Sequence, residues 1–146
     1  MFNPILLAAA VAWSLSQISK TIIHLIINKR LVWERLLGDG GMPSSHSATV
    51  TAAAVTSGLR CGWDSPIFAV AAIMALVVMH DAMGVRQETG KQARVINSMV
   101  ELINSMGRGE LTPEETLKEF VGHTRRQVMI GAMLGGVVAL ALNGVM

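Results

Sequence analysis

Four apolar segments separated by polar connections dominate the pattern along the chain. They cover about residues 4–28, 44–59, 66–85 and 126–145. The first, third and fourth reach the roughly 20 residues that a helix needs to cross a bilayer. The second is shorter and rich in Ala, Ser and Thr, which favours a place inside a bundle or in a locally thinned membrane. The pattern predicts an all-α, polytopic membrane bundle of about four transmembrane helices, folded as a single integral-membrane domain over residues 1–146.

The connection over residues 86–125 carries a helical pattern of its own. Val95, Met99 and Leu102 recur at spacings of three and four residues, which predicts an amphipathic helix over about residues 89–105. Such a helix can lie on the membrane surface with its apolar face among the lipids.

Composition supports a membrane protein. Hydrophobic residues make up 51% of the chain and charged residues only 15%, against roughly 25% charged in soluble domains, and the mean hydropathy is +0.48. The net charge of +2 comes without tyrosine or interleaved aromatic residues, so it argues against a nucleic-acid partner. Cys61 is the one cysteine, which excludes an intrachain disulfide and a cysteine-based metal site. We expect no metal and no other cofactor.

The distribution of basic residues predicts the orientation. Lys and Arg concentrate in the connections over residues 28–43 and 86–126, whereas residues 60–65 contain Arg60 alone. By the positive-inside rule both basic connections lie in the cytoplasm. We therefore expect a multi-pass protein of a bacterial inner membrane, or of an equivalent organelle membrane, with its active face cytoplasmic.

The most specific local motif is Gly-Gly-Met-Pro-Ser-Ser-His-Ser at residues 40–47. It places hydroxyls and a histidine at the start of the second apolar segment, and its glycines allow backbone N–H groups to approach a ligand closely. A helix start of this kind binds anions, and a histidine beside a bound phosphate can serve as nucleophile or acid. The plainer interpretation is a serine-capped helix start.

The predicted topology brings polar residues from distant segments to one side of the membrane. His46 opens the second segment, Asp81 and Arg86 close the third, His123 precedes the fourth, and Lys20 can extend toward them from the first. Ionisable residues in spans are functional candidates because burying them is costly. Simpler roles remain open: Lys20 can reach lipid headgroups, Asp81 can neutralise a nearby cation, and His123 can bond the backbone at a helix start.

Three stretches resemble a known group of enzymes. They are the run over residues 40–48, His-Asp-Ala-Met-Gly-Val-Arg followed by Gly-Lys-Gln-Ala at residues 80–93, and Gly-His-Thr at residues 122–124. Together they resemble the small divergent branch of the type-2 phosphatidic acid phosphatase superfamily, over nearly the whole chain. That superfamily comprises lipid phosphatases and vanadium haloperoxidases that work without a metal cation.

The resemblance implies a role for each matching residue. In the superfamily one histidine attacks phosphorus, a second protonates the leaving group, an aspartate orients the nucleophile, and Lys and Arg hold the phosphate. Carried over, His46 and His123 match the two histidines. Asp81 does not match the position of the superfamily aspartate, but it is the third catalytic candidate because it can orient His46 or His123 in its place. The phosphate-binding candidates are Lys20, Ser44, Ser45, Arg86 and Lys91.

Two positions depart from the superfamily pattern. Gln127 stands four residues after His123, where the superfamily has an acid, and Leu117 stands where it has an arginine. Gln127 can orient an imidazole by a hydrogen bond, but it cannot stabilise an imidazolium by charge.

The resulting functional hypothesis is a membrane lipid phosphatase. It would hydrolyse a phosphomonoester or pyrophosphate headgroup at the cytoplasmic leaflet by a histidine-based, metal-independent mechanism. The alternatives are a non-catalytic lipid-phosphate binder or translocator and a structural membrane protein. We expect a phosphorylated lipid and the bilayer as partners, and a homodimer because four spans make a thin bundle.

Overall fold

The structure is a computed structural model that describes residues 3–29, 41–106, 117 and 122–145. The secondary structure of these residues is entirely helical, as the sequence predicts. The helices are α1 Pro4–Asn28, α2 Ser45–Cys61, α3 Pro66–Met83, α4 Val85–Ser105 and α5 Arg125–Val145.

Local sequence explains where the first three helices begin. The side chains of Asn3, Ser44 and Ser65 each accept backbone N–H groups of the following turn, which satisfies donors that have no partner inside the helix. Pro4 and Pro66 occupy the first helical position, where the missing N–H costs nothing. These caps place the start of α2 directly after the Gly-Met-Pro-Ser turn.

Helix α2 occupies the centre of the bundle. It packs against α1, α3 and α5, and half-buried or buried Ala, Ser and Thr residues line most of its length. Three stretches are long and apolar enough to cross a membrane: Pro4–Ile27, Pro66–Ser105 and Arg125–Val145. Helix α2 is not among them, since it has 17 residues of mixed polarity. Its interior position explains how so polar a helix is accommodated in an apolar bundle.

Close approach of α5 to α2 depends on two glycines. A Cβ atom on Gly131 would collide with the Ser44 carbonyl oxygen, and one on Gly135 would collide with the Ala48 carbonyl oxygen. The Gly131-x-x-x-Gly135 pattern is a known means of close helix contact in membranes. Here it holds the first turn of α5 against the first turn of α2, where the histidine motif lies.

The third span ends two residues earlier than predicted, and the amphipathic helix begins earlier. Helix α3 stops at Met83, Gly84 forms the junction, and α4 starts at Val85 instead of near residue 89. The Gly84 N–H still donates to the His80 carbonyl, 2.9 Å away, and its own carbonyl accepts from Glu88 at 3.0 Å. The helical hydrogen bonding therefore continues through the junction, which hydropathy along the chain does not reveal.

Candidate active site

Lys20 reaches the start of α2 as the sequence predicts. Its Nζ atom donates to the Ser45 hydroxyl at 3.0 Å, and both residues are more than nine-tenths buried. The stem of Lys20 passes beside Gly41. A buried ammonium group of this kind requires polar or anionic partners because its desolvation is costly. The contact therefore places a positive charge against the first turn of α2.

The first turns of α2 and α5 meet at the same place. The Ser44 N–H donates to the Gln127 carbonyl at 3.1 Å, and the Ser44 hydroxyl accepts from the Ser47 N–H at 3.3 Å. Each helix N-terminus carries a partial positive charge from its aligned peptide dipoles. Two helix N-termini and a buried lysine therefore bring positive charge to the same place.

His46, in the first turn of α2, and His123, just before α5, lie next to each other. Their ring centroids are 6.2 Å apart with the planes tilted by 54°. His123 is buried, His46 is partly exposed, and the His123 N–H donates to the Ala82 carbonyl at 2.9 Å. The pairing joins residues that are far apart in sequence, and it follows from the packing of α2, α3 and α5 around one point.

Gly122 fixes the approach of His123 to α4. It has a φ of +90°, and a Cβ atom there would meet the backbone of Arg86 and Gln87. Only glycine combines this conformation with so close an approach. The segment that carries His123 is thus held on one side by Ala82 and on the other by the first turn of α4.

The remaining charged candidates, Asp81, Arg86 and Lys91, take part in two ion pairs. The Arg86 Nε donates to an Asp81 carboxylate oxygen at 3.0 Å, with both side chains partly exposed. Lys91 donates to Glu88 at 2.6 Å on the exposed surface of α4. Of the two roles that the sequence leaves open for Asp81, this pairing corresponds to the neutralisation of a cation. Arg86 and Lys91 thus each pair with a carboxylate that lies within five residues along the chain.

The whole bundle matches a described family. The sequence model of the Divergent PAP2 family covers residues 1–138, which include α1 to α4, the larger part of α5 and each candidate residue named above. The chain belongs to this family. It is also 39% identical to the uncharacterized membrane protein YuiD of Bacillus subtilis (strain 168) over 145 residues, covering 94% of this chain and 92% of YuiD. No solved structure matches the chain significantly.

Membership of the Divergent PAP2 family confirms the resemblance drawn from the motifs. Together with the apolar helices and the name of YuiD, it makes this a membrane protein of a phosphatase-related family. Gly40 and the neighbouring basic connection lie outside the described residues. Within the described ranges, no group of three or more His, Cys, Asp or Glu side chains is arranged to hold a metal ion.

Gln127 has a role that the sequence analysis missed. Its side-chain oxygen accepts from the Thr124 N–H at 2.8 Å, while the Thr124 hydroxyl accepts from the Gln127 N–H at 3.4 Å. This reciprocal pair is a capping box, and the spacing Thr-x-x-Gln is its sequence signature. The amide oxygen predicted to orient a histidine therefore caps α5 in this structure.

Gln17 is a second polar residue that the sequence analysis left out of the site. It lies three residues before Lys20 on α1, is 6% exposed, and its amide oxygen has no hydrogen-bond partner among the described residues. Buried acceptors are normally satisfied by protein or water. The available signal was the three-residue spacing of Gln17 and Lys20, which puts both side chains on one face of α1.

Proposed function

We propose that this membrane protein is a lipid phosphatase that hydrolyses a phosphomonoester or pyrophosphate headgroup without a metal ion. The observation that carries the proposal is the pair His46 and His123, with ring centroids 6.2 Å apart. A nucleophile approaches its target atom to about 3–3.5 Å, and a general acid donates over about 2.6–3.2 Å. The two imidazoles are therefore close enough to face one bound phosphoryl group together, one as nucleophile and the other as general acid.

The electrostatics beside the histidines support an anionic ligand. Lys20 brings a buried positive charge to Ser45, and the first turns of α2 and α5 are joined there by the bond from Ser44 to Gln127. Phosphoryl transfer needs little beyond positioning and charge stabilisation. Lys20, the Ser45 hydroxyl and the N–H groups of the α2 turn supply both.

The resemblance of Gly122-His123 to the superfamily's nucleophile motif supports the following order of steps. Neutral His123 attacks phosphorus, the ester P–O bond breaks, and the leaving oxygen takes a proton from protonated His46. His46 then takes a proton from a water molecule, whose oxygen attacks the phosphohistidine and breaks the P–N bond. Inorganic phosphate leaves, and both histidines return to their starting states.

The positive-inside rule supports a cytoplasmic active face. The segment before the histidine motif and the segment before His123 carry most of the basic residues. The His46–His123 pair lies at the start of α2 and immediately before α5, next to these segments. The substrate would accordingly be an amphiphile whose phosphate sits at headgroup level in the inner leaflet.

A second candidate function is the binding or translocation of a lipid phosphate without hydrolysis. It is favoured by the engagement of the Gln127 oxygen in the α5 capping box, since no carboxylate then stands four residues after His123 to stabilise an imidazolium. In this case the anion site is retained and the covalent step is absent.

The deciding experiment is phosphate release by the purified protein in detergent with EDTA present. Phosphatidic acid, phosphatidylglycerophosphate and a polyprenyl phosphate are offered separately, together with a polyprenyl pyrophosphate. We expect release from at least one of them that EDTA does not reduce. Saturable binding of these lipids with no release would support the non-catalytic candidate, and release that depends on an added cation would contradict the proposed mechanism.

Replacement of Lys20 should weaken substrate binding. Lys20→Met keeps the apolar stem but removes the charge that bonds to Ser45, and charge-assisted hydrogen bonds to phosphate are the strong ones. We expect KM to rise about 10-fold or more, since about 1.4 kcal/mol of lost binding corresponds to tenfold. Lys29→Met, at the exposed C-cap of α1, is the matched control. Equal KM values in the two variants would remove Lys20 from the site.

A further inference from the structure

Helix α4 carries an apolar stripe that the described residues leave uncovered. Val95, Met99, Leu102 and Met106 are each more than half exposed and lie on one side of the helix at 100° per residue. On the other side Gly90 and Ala93 are buried. There Asn97 donates to the Leu117 carbonyl at 3.0 Å. The helix therefore rests on the rest of the chain by its small residues and presents its large apolar residues outward.

The stripe follows directly after an exposed apolar face of α3. On α3, inside a stretch apolar enough to cross a membrane, Val70, Met74 and Val77 are more than half exposed. Val85, 66% exposed, is the first residue of α4 after the Gly84 junction. An amphipathic helix that begins where a span ends is placed to lie in the interfacial plane.

The charges of α4 fit the headgroup layer. Lys91 and Arg94 lie on one side of the stripe and are exposed, and Lys91 pairs there with Glu88. Their long stems can lie along apolar surface while their charged ends stay in water. Basic residues in this position attract the anionic headgroups of a membrane surface. The basic residues beside the apolar stripe of α4 therefore fit contact of this helix face with a bilayer surface.

The α3–α4 junction links this surface to His123. The Ala82 carbonyl before the junction accepts the His123 N–H at 2.9 Å. After the junction, the backbone of Arg86 and Gln87 lies against Gly122. We propose that α4 lies in the bilayer surface with its apolar stripe among the lipid chains, and that this contact holds the junction against which His123 is positioned.

The first test measures where the stripe lies. Single nitroxide labels are placed at successive positions from Val95→Cys to Leu102→Cys in the full chain carrying Cys61→Ser. The protein is reconstituted in vesicles of phosphatidylcholine and phosphatidylglycerol. Arg94→Cys is added to the set. Oxygen, which concentrates in lipid, should relax the labels at residues 95, 99 and 102 most. A water-soluble nickel chelate should instead relax the labels at residues 94 and 98 most.

Two results would overturn the lipid assignment. Equal access of the nickel chelate to every position would place the stripe in water. Protection of residues 95, 99 and 102 from both reagents would place protein on the stripe, and a second copy of the chain would be the first candidate.

The second test measures the link to His123. A nitroxide at Arg125→Cys, two residues after His123, should gain a mobile spectral component with Met99→Asp but not with its neighbour Ser98→Asp on the polar side. A label at Gly136→Cys, in the middle of α5, reports whether the bundle is folded. If that label also becomes mobile, the milder Met99→Ser replaces Met99→Asp in the same comparison.

The outcomes separate this proposal from the enzymatic one. An unchanged spectrum at Arg125→Cys in a variant whose α4 has left the membrane would overturn the link between lipid contact and His123. Neither test measures phosphate release. The position of α4 is thus decided whether or not the protein proves to be a phosphatase.

Discussion

Phosphate release should fall by at least about 100-fold when either His46 or His123 is replaced by alanine. A positioned acid or base contributes roughly 10²–10⁴ to the rate, and loss of the nucleophile stops the covalent pathway altogether. Because the two rings act on the same phosphoryl group, 6.2 Å apart between centroids, the double variant should be hardly slower than the worse single variant.

The measurement is the rate of phosphate release from the best lipid of the panel, with each variant folded in detergent. His80→Ala is the control, since His80 is exposed on α3 and we assign it no catalytic role. It should retain most of the activity. Full activity in His46→Ala or His123→Ala would end the two-histidine mechanism, whatever the substrate.

Gly135→Ala should destabilise the bundle, whereas the neighbouring Gly136→Ala should not. The added methyl group at residue 135 would collide with the Ala48 carbonyl oxygen, while a Cβ at residue 136 meets nothing within 4 Å. Overpacking typically costs about 1–3 kcal/mol. An alanine in open space on a helix is instead favoured over glycine by up to about 1 kcal/mol.

The measurement is the unfolding midpoint of each variant in the same detergent. We expect a lower midpoint for Gly135→Ala and an equal or higher one for Gly136→Ala. A shift of α5 away from α2 would also lengthen the bond from Ser44 to Gln127, so the first variant should lose affinity for the lipid phosphate. Equal midpoints would mean that α5 does not pack on α2 through these glycines.

Much of the fold could be predicted because its elements are locally encoded. A first span over residues 4–28 follows from apolar length, and α1 has the same bounds. The amphipathic helix follows from the spacing of Val95, Met99 and Leu102, all of which lie on α4. The start of α4 was placed too late because the break at Gly84 leaves the helical hydrogen bonding intact.

The partners of the polar residues were harder to predict. The sequence predicts that Arg86 binds phosphate, and in the structure Arg86 pairs with Asp81. It predicts that Gln127 orients a histidine, and in the structure the Gln127 side chain caps α5. Each of these side chains has a partner within five residues, and both roles at the site stay predictions.

The sequence by itself determined that this is a helical membrane protein of the Divergent PAP2 family, and which residue types its candidate site contains. Hydropathy, helix caps and short motifs are properties of neighbouring residues, so they can be read along the chain. Only the tertiary structure decided that Lys20 meets Ser45 and that His46 lies beside His123. The contact between His46 and His123 depends on close packing of α5 on α2 at Gly131 and Gly135. The glycine pattern indicates a close helix contact, but which helix it meets is decided only by the packing of distant segments.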